Sequence, residues 1–198
     1  MKYKLIIFIA LLFAGFSGFS QNINSGNTAG NFGFEISAGK IFSPYRFYKN
    51  HTGYENFSFG ISKKLFKYGG AVLSQSYGRI YSETTNNRTI VMTTTISPYI
   101  IFFADKKINL RLSSGTGLIC LNTKTLYDIY PINEKIYGMP IKGKITVLYK
   151  LKNKLALNLN IDTHYSFLFA GNYKLLINDP YYYRAFFYSI NIGINYTL

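Results

Sequence analysis

Asp162, His164 and Ser166 stand at alternate positions of one short stretch and supply a carboxylate, an imidazole and a hydroxyl. Those are the groups of a nucleophilic hydrolase, in which the carboxylate orients an imidazole that activates the hydroxyl. Around them Leu155, Leu157, Leu159, Ile161, Tyr165 and Phe167 alternate with Asn158, Asn160, Asp162, His164 and Ser166. That period of two is a strand, whose same-face neighbours lie ~6.6 Å apart, too far for direct triad hydrogen bonds without rotamer help. The three side chains therefore read first as part of a polar network and only second as a catalytic site. Little else in the chain suggests chemistry. Cys120, the one cysteine, excludes a disulfide framework or multi-cysteine metal site and reads as a small apolar filler. No residue pattern implies a cofactor or a metal ion.

The strand that carries these groups is one of a set. In the last run Phe186, Tyr188, Ile190, Ile192, Ile194, Tyr196 and Leu198 share one face, and Ser189, Asn191, Gly193, Asn195 and Thr197 share the other. Similar alternation marks runs around Phe34–Ala38, Phe57–Ile61, Ile90–Ile100, Ile108–Leu118 and Ile141–Tyr149. Gly70–Tyr81 is ambiguous, because Gln75 spoils one choice of apolar face while Ser74, Ser76 and Gly78 spoil the other. It counts as a strand because a hairpin otherwise lacks its partner. The total is eight.

Composition decides which way these strands face. The 198 residues suffice for one domain, with 48% hydrophobic, 18% aromatic and only 15% charged residues. A soluble domain carries roughly 25% charged residues, and a disordered chain has too few apolar groups to resemble this one. The polar faces are Asn, Ser, Thr and Gly rather than charged, and several runs reach the ~9–11 residues of a tilted membrane-crossing strand. Only a closed sheet satisfies its backbone inside lipid. The expected fold is all-β, an eight-stranded antiparallel up-and-down transmembrane β-barrel. Its register sends Glu35, Arg111, Lys142, Lys144, Asp162 and His164 inward, where charges are tolerated as a paired network filling a narrow lumen.

Three parts are expected along the chain. Residues 1–20 (MKYKLIIFIALLFAGFSGFS) read as a signal peptide, with Lys2 and Lys4 before an apolar run and small residues Gly18 and Ser20 at the cleavage site. Residues 21–30 are a flexible periplasmic lead-in, and 31–198 the barrel. Without Lys2 and Lys4, twenty basic residues face eight acidic ones, a balance of +12. Lys63–Gly69, Ala104–Lys107 and Lys150–Lys154 are short connections, whereas Ser43–Gly53, Leu121–Gly138 and Phe169–Tyr182 are long, with Glu83–Asn87 a short member of the second set. That asymmetry places both termini on the periplasmic side of a bacterial outer membrane. The short connections hold Lys63, Lys64, Lys67, Lys106, Lys107, Lys150, Lys152 and Lys154 against Asp105 alone. Such a ring suits anionic headgroups rather than nucleic acid. Tyr54, Tyr81, Phe102, Phe103, Tyr149, Tyr165, Phe167, Tyr183, Phe186 and Tyr196 crowd the strand ends, where aromatic girdles are expected. The Tyr-rich long connections, with Arg46 and His51 in the first, suit recognition of an extracellular partner.

Asn191, Gly193, Tyr196 and Leu198 fit the polar-x-Gly-x-x-hydrophobic-x-hydrophobic ending read by the barrel assembly machinery, with Leu198 where Phe is usual. With the signal peptide and eight strands, the chain resembles small OmpA/OmpX-like outer-membrane β-barrels. That resemblance implies outer-membrane lipids and the assembly machinery as partners, and no specific chemistry. A general porin is not the expectation, because those need 16–18 strands. His164-Tyr165-Ser166 is also similar to the His-x-Ser-Asn segment of the outer-membrane lipid A deacylases, but Phe167 replaces the Asn and no glutamate follows. The expected role is a non-enzymatic envelope barrel with a closed polar lumen. The alternatives are a lipid A-modifying enzyme and an exported soluble barrel that binds a lipophile in an apolar lumen.

Overall fold

The computed structural model describes residues 32–43, 51–82, 87–126, 131–152, 154–171 and 184–198. The signal segment 1–20, the lead-in 21–30 and most of the expected long connections lie outside the described residues. Eight strands follow in chain order: β1 (Phe32–Phe42), β2 (His51–Phe66), β3 (Gly69–Ser82), β4 (Asn87–Phe102), β5 (Ile108–Leu126), β6 (Pro131–Lys152), β7 (Leu155–Gly171) and β8 (Arg184–Thr197). Each pairs antiparallel with the next and β8 returns to β1, so the sheet is a closed barrel.

The closing ladder shows why this register holds. Ile36 faces Ile194 and Ala38 faces Ile192, while Glu35 faces Asn195 and Ser37 faces Gly193. Slipping by one residue would exchange the two faces of β8 wholesale. The exposures decide the direction: Ile190, Ile192 and Ile194 are 46%, 68% and 50% exposed, whereas Asn191 and Asn195 are 1% and 8% exposed. Around the barrel Ile36, Phe57, Leu73, Ile96, Leu112, Ile145 and Leu159 also face outward. The barrel is thus oily outside, and the asparagines of β8 turn inward. Gly193 sits where β8 meets β1, and a β-carbon there would run into the Ile36 carbonyl oxygen and Ser37.

One end of the barrel is made of tight connections, Lys67–Tyr68, 103–107 and the close return from Lys152 to Leu155, which face each other across the ladder. The Leu198 amide donates to the Phe32 carbonyl (2.8 Å) there, so both edges of the sheet close at this turn end. Phe103 adopts φ 58°, a left-handed turn conformation, and the Lys106 amide donates to its carbonyl (2.9 Å). Outward rings gather at this end: Phe32, Phe66, Tyr68, Phe102, Phe103, Tyr149 and Tyr196. Tyr137, Phe167 and Phe169 form a second outward set near the opposite, distal end. Of the expected girdle residues, the side chains of Tyr54 and Tyr183 lie outside the described residues.

The strands correct several expected boundaries. Leu121–Gly138 is not a long connection: β5 and β6 continue through it, Leu126 facing Pro131, with 127–130 between. Likewise β2 begins at His51, β4 at Asn87, and β7 runs to Gly171. A ladder adds backbone hydrogen bonds wherever two strands stay adjacent, so pairing runs past the end of clean alternation. Lys63, Lys64, Lys150 and Lys152 accordingly stand on strand ends rather than in turns. The ambiguous β3 turns Val72, Ser74, Gly78 and Ile80 inward and Leu73 and Gln75 outward. Its neighbours set that choice, since Ser74 faces Gly60 and Thr95, which are themselves inward.

Candidate functional site in the barrel lumen

Every strand contributes side chains to the lumen at alternate positions, and the charged ones converge. The Glu35 carboxylate on β1 accepts from Arg111 on β5 and from Lys144 on β6. β1 and β5 are diametrically opposed in an eight-stranded ring, so the Glu35–Arg111 pair is a crossbar spanning the lumen. Asn160 Nδ2 donates to the same carboxylate (3.1 Å) and to Asn158 Oδ1 (3.0 Å). The Arg111 guanidinium also lies over the Tyr99 ring, 5.5 Å from its centroid.

A second ion pair lies beside the first. Lys142 Nζ is 3.2 Å from Asp162 Oδ1 and donates to Ser74 Oγ at 3.3 Å. Asn191 Nδ2 donates to Asp162 Oδ2 (3.1 Å), and Asn191 Oδ1 accepts from Asn56 Nδ2 (2.8 Å). Hydroxyl pairs continue the pattern around the wall, Ser37 with Ser58 (2.6 Å) and Ser74 with Thr95 (2.8 Å). Glu35, Arg111, Lys142, Lys144, Asp162 and His164 are all buried. Carboxylates taken from water are stabilised only when cations and donors replace the lost hydration. The cavity beside this bar, lined by Glu35, Lys142, Lys144, Ser58 and Ser97, measures about 10 Å³. That holds about one water beside the charged side chains.

Asp162, His164 and Ser166 face the same lumen and do not form a triad. Asp162 is engaged by Lys142 and Asn191, while His164 Nδ1 and Ser166 Oγ make no hydrogen bond among the described residues. All three are buried behind the wall, away from the outward face that an acyl chain would reach. Phe167 points outward against Tyr165, their ring centroids 5.2 Å apart. Among the described residues no group of three His, Cys, Asp or Glu is placed to hold a metal ion. Cys120 is partly exposed and stands opposite Met92 on the next strand.

Two features escape the sequence reading. Toward the distal end the inward row turns apolar: Ile41, Ile80, Val91, Ile119, Leu121, Ile136, Leu168, Ala185 and Phe187 pack together in the lumen. The signal was present as a change within one parity, as in Asn109, Arg111, Ser113 and then Ile119 and Leu121. A rule that assigns each face one polarity hides it. At the turn end, by contrast, a cavity of about 260 Å³ opens among the lysines. The lumen is therefore three tiers deep: an open basic vestibule, a charged bar and an apolar layer.

No protein-family model matches this sequence, and no curated protein matches it. Solved structures do. A major outer membrane protein from Thermus thermophilus superposes with a TM-score of 0.56 at 12% identity, covering 86% of this chain and 100% of that one. Ail, the attachment invasion locus protein of Yersinia pestis, superposes with a TM-score of 0.53 at 11% identity, covering 85% and 100%. The fold is that of small outer-membrane β-barrels. At these identities the likeness concerns architecture alone.

Proposed function

We propose that this chain is a non-enzymatic integral barrel of a bacterial outer membrane, with both termini periplasmic and a lumen closed to general passage. Its distal segments serve envelope integrity or recognition of an extracellular partner. One observation carries the reading: the isoleucines of β8 are exposed while its asparagines are buried, an arrangement that water disfavours and acyl chains favour. Outer-membrane lipids are the natural partners of such a surface. Lys63 Nζ lies 5.6 Å from the Phe32 ring centroid and Lys107 Nζ 4.9 Å from that of Tyr149, an amphipathic rim suited to anionic headgroups. Asn191, Gly193, Tyr196 and Leu198 end the closing strand, and we assign them to engagement of the barrel assembly machinery. Tyr196 and Leu198 face outward there. The polar waist speaks against a lipophile-binding soluble barrel.

Fractionation tests this reading directly. The protein should pellet with outer membranes, dissolve only in detergent, and migrate faster unboiled than boiled on a denaturing gel. A band in the aqueous fraction whose migration ignores boiling would overturn it. The enzyme reading has its own check. Wild-type protein incubated with lipopolysaccharide should release no fatty acid, and release that Ser166→Ala abolishes would reinstate a deacylase.

A further inference from the structure

Lys63 and Lys107 lie over the outward rings of Phe32 and Tyr149, whereas Lys64, Lys150, Lys152 and Lys154 line the 260 Å³ cavity at the lumen mouth. Lys67 stands between the two sets, bordering the cavity while its ammonium lies over the outward Tyr68 ring at 4.9 Å. Two ladder irregularities fall among them, between Lys64 and Phe66 and between Lys150 and Lys152. Bulges at a barrel rim re-aim the side chains beside them. A hydrogen bond to the Tyr68 hydroxyl, with the charge of Asp105, raises the pKa of Lys67 above its ordinary value.

The inner end of the cavity is also cationic. Arg111 is 3% exposed, and its Nε has no partner among the described residues although its Nη2 is held by Glu35. Asn109 and Asn195 add side-chain amides to the same wall. Among the described residues no carboxylate lines the cavity; Glu35 reaches its Arg111 from the bar behind, and Asp105 of the adjoining turn is not among the lining residues. A concave wall of one charge sign with a low-dielectric barrel behind it concentrates the opposite charge. Ammonium groups bind phosphate as point charges, which suits a ligand whose oxyanions are clustered. The volume lies just under the ~300–1,000 Å³ of small-molecule sites. One phosphate would leave several of the five lysines unused.

We propose that this vestibule is a binding site for a clustered phosphate oxyanion of the diphosphate class, borne on a soluble molecule or on a lipid headgroup. The site is the inward face of the mouth, distinct from the outer rim assigned above to the bilayer surface. It does not depend on where the barrel resides.

Titration calorimetry of the full barrel in an uncharged maltoside detergent, with pyrophosphate as the probe, tests it. Saturable binding of one pyrophosphate per barrel is expected. Joint Lys64→Gln, Lys152→Gln and Lys154→Gln substitution should weaken it at least tenfold, while Lys63→Gln with Lys107→Gln leaves it unchanged. Heat-modifiable migration verifies that each variant is folded. Repeating the titration in nanodiscs containing phosphatidic acid separates the sources. Loss of pyrophosphate binding there, relative to neutral phosphatidylcholine discs, marks a lipid headgroup as the natural occupant; undiminished binding marks a soluble one. Absence of binding by the wild type, or equal weakening by the inward and outward sets, would overturn the proposal.

Discussion

Replacing Ile192 by Arg should lower the stability of the lipid-folded barrel by about 2–4 kcal/mol, the cost of a cation near the bilayer midplane on the lipid face. Ile192 is 68% exposed and lies near the middle of β8, opposite Leu159 and Ala38. In a water-soluble protein so open a position would accept Arg within about 0.5 kcal/mol. The two solvents thus give answers that differ several-fold, which makes this one substitution a measurement of what surrounds the barrel. Urea titration of the protein refolded into phosphatidylcholine vesicles reads it, with heat-modifiable migration as the folded signal. A Phe66→Arg control at the turn-end rim should cost about 0–1 kcal/mol, because the penalty falls away toward the interface. A change at Ile192 no larger than at Phe66 would show that the exposed isoleucines are not in acyl chains.

The facing of the strands other than β3 was legible because alternation is a local property. Ile190, Asn191, Ile192 and Asn195 settle the faces of β8 by themselves, and closure against β1 follows once eight such ribbons are counted. What alternation does not carry is depth. Ile41 and Glu35 share the inward row of β1, yet one packs in the distal apolar layer and the other holds the charged bar. Their separation along the axis depends on the stagger of neighbouring strands, which the sequence of one strand does not contain. Gln75 illustrates the same limit from outside: its row was unreadable alone and is fixed by Phe59 and Thr94 on either side. The spacing of Asp162, His164 and Ser166 likewise does not contain their partners. Asp162 is claimed by Lys142 and Asn191 on the flanking strands β6 and β8.

The opposition of Glu35 to two cations yields the other large effect. Glu35→Gln keeps the shape of the side chain and removes its charge, leaving Arg111 and Lys144 buried without their common carboxylate. Breaking a buried ion pair from one side costs about 3–5 kcal/mol, because the remaining charge has lost its hydration and its partner together. Urea midpoints in vesicles should fall accordingly. Adding Lys144→Met removes one stranded cation and should recover a large part of the loss. Replacing the whole cluster, as Glu35→Leu with Arg111→Met and Lys144→Met, should return the barrel close to wild-type stability, since apolar groups of similar volume need no hydration. A Glu35→Gln protein as stable as wild type would show that water reaches the bar. A triple variant as weak as the single one would show that the ions hold the barrel rather than merely offset one another. Closure need not follow stability. Ile41, Ile80, Ile119 and Ile136, with Phe187, fill the lumen distal to the bar, so planar-bilayer conductance of the triple variant should stay at the wild-type level.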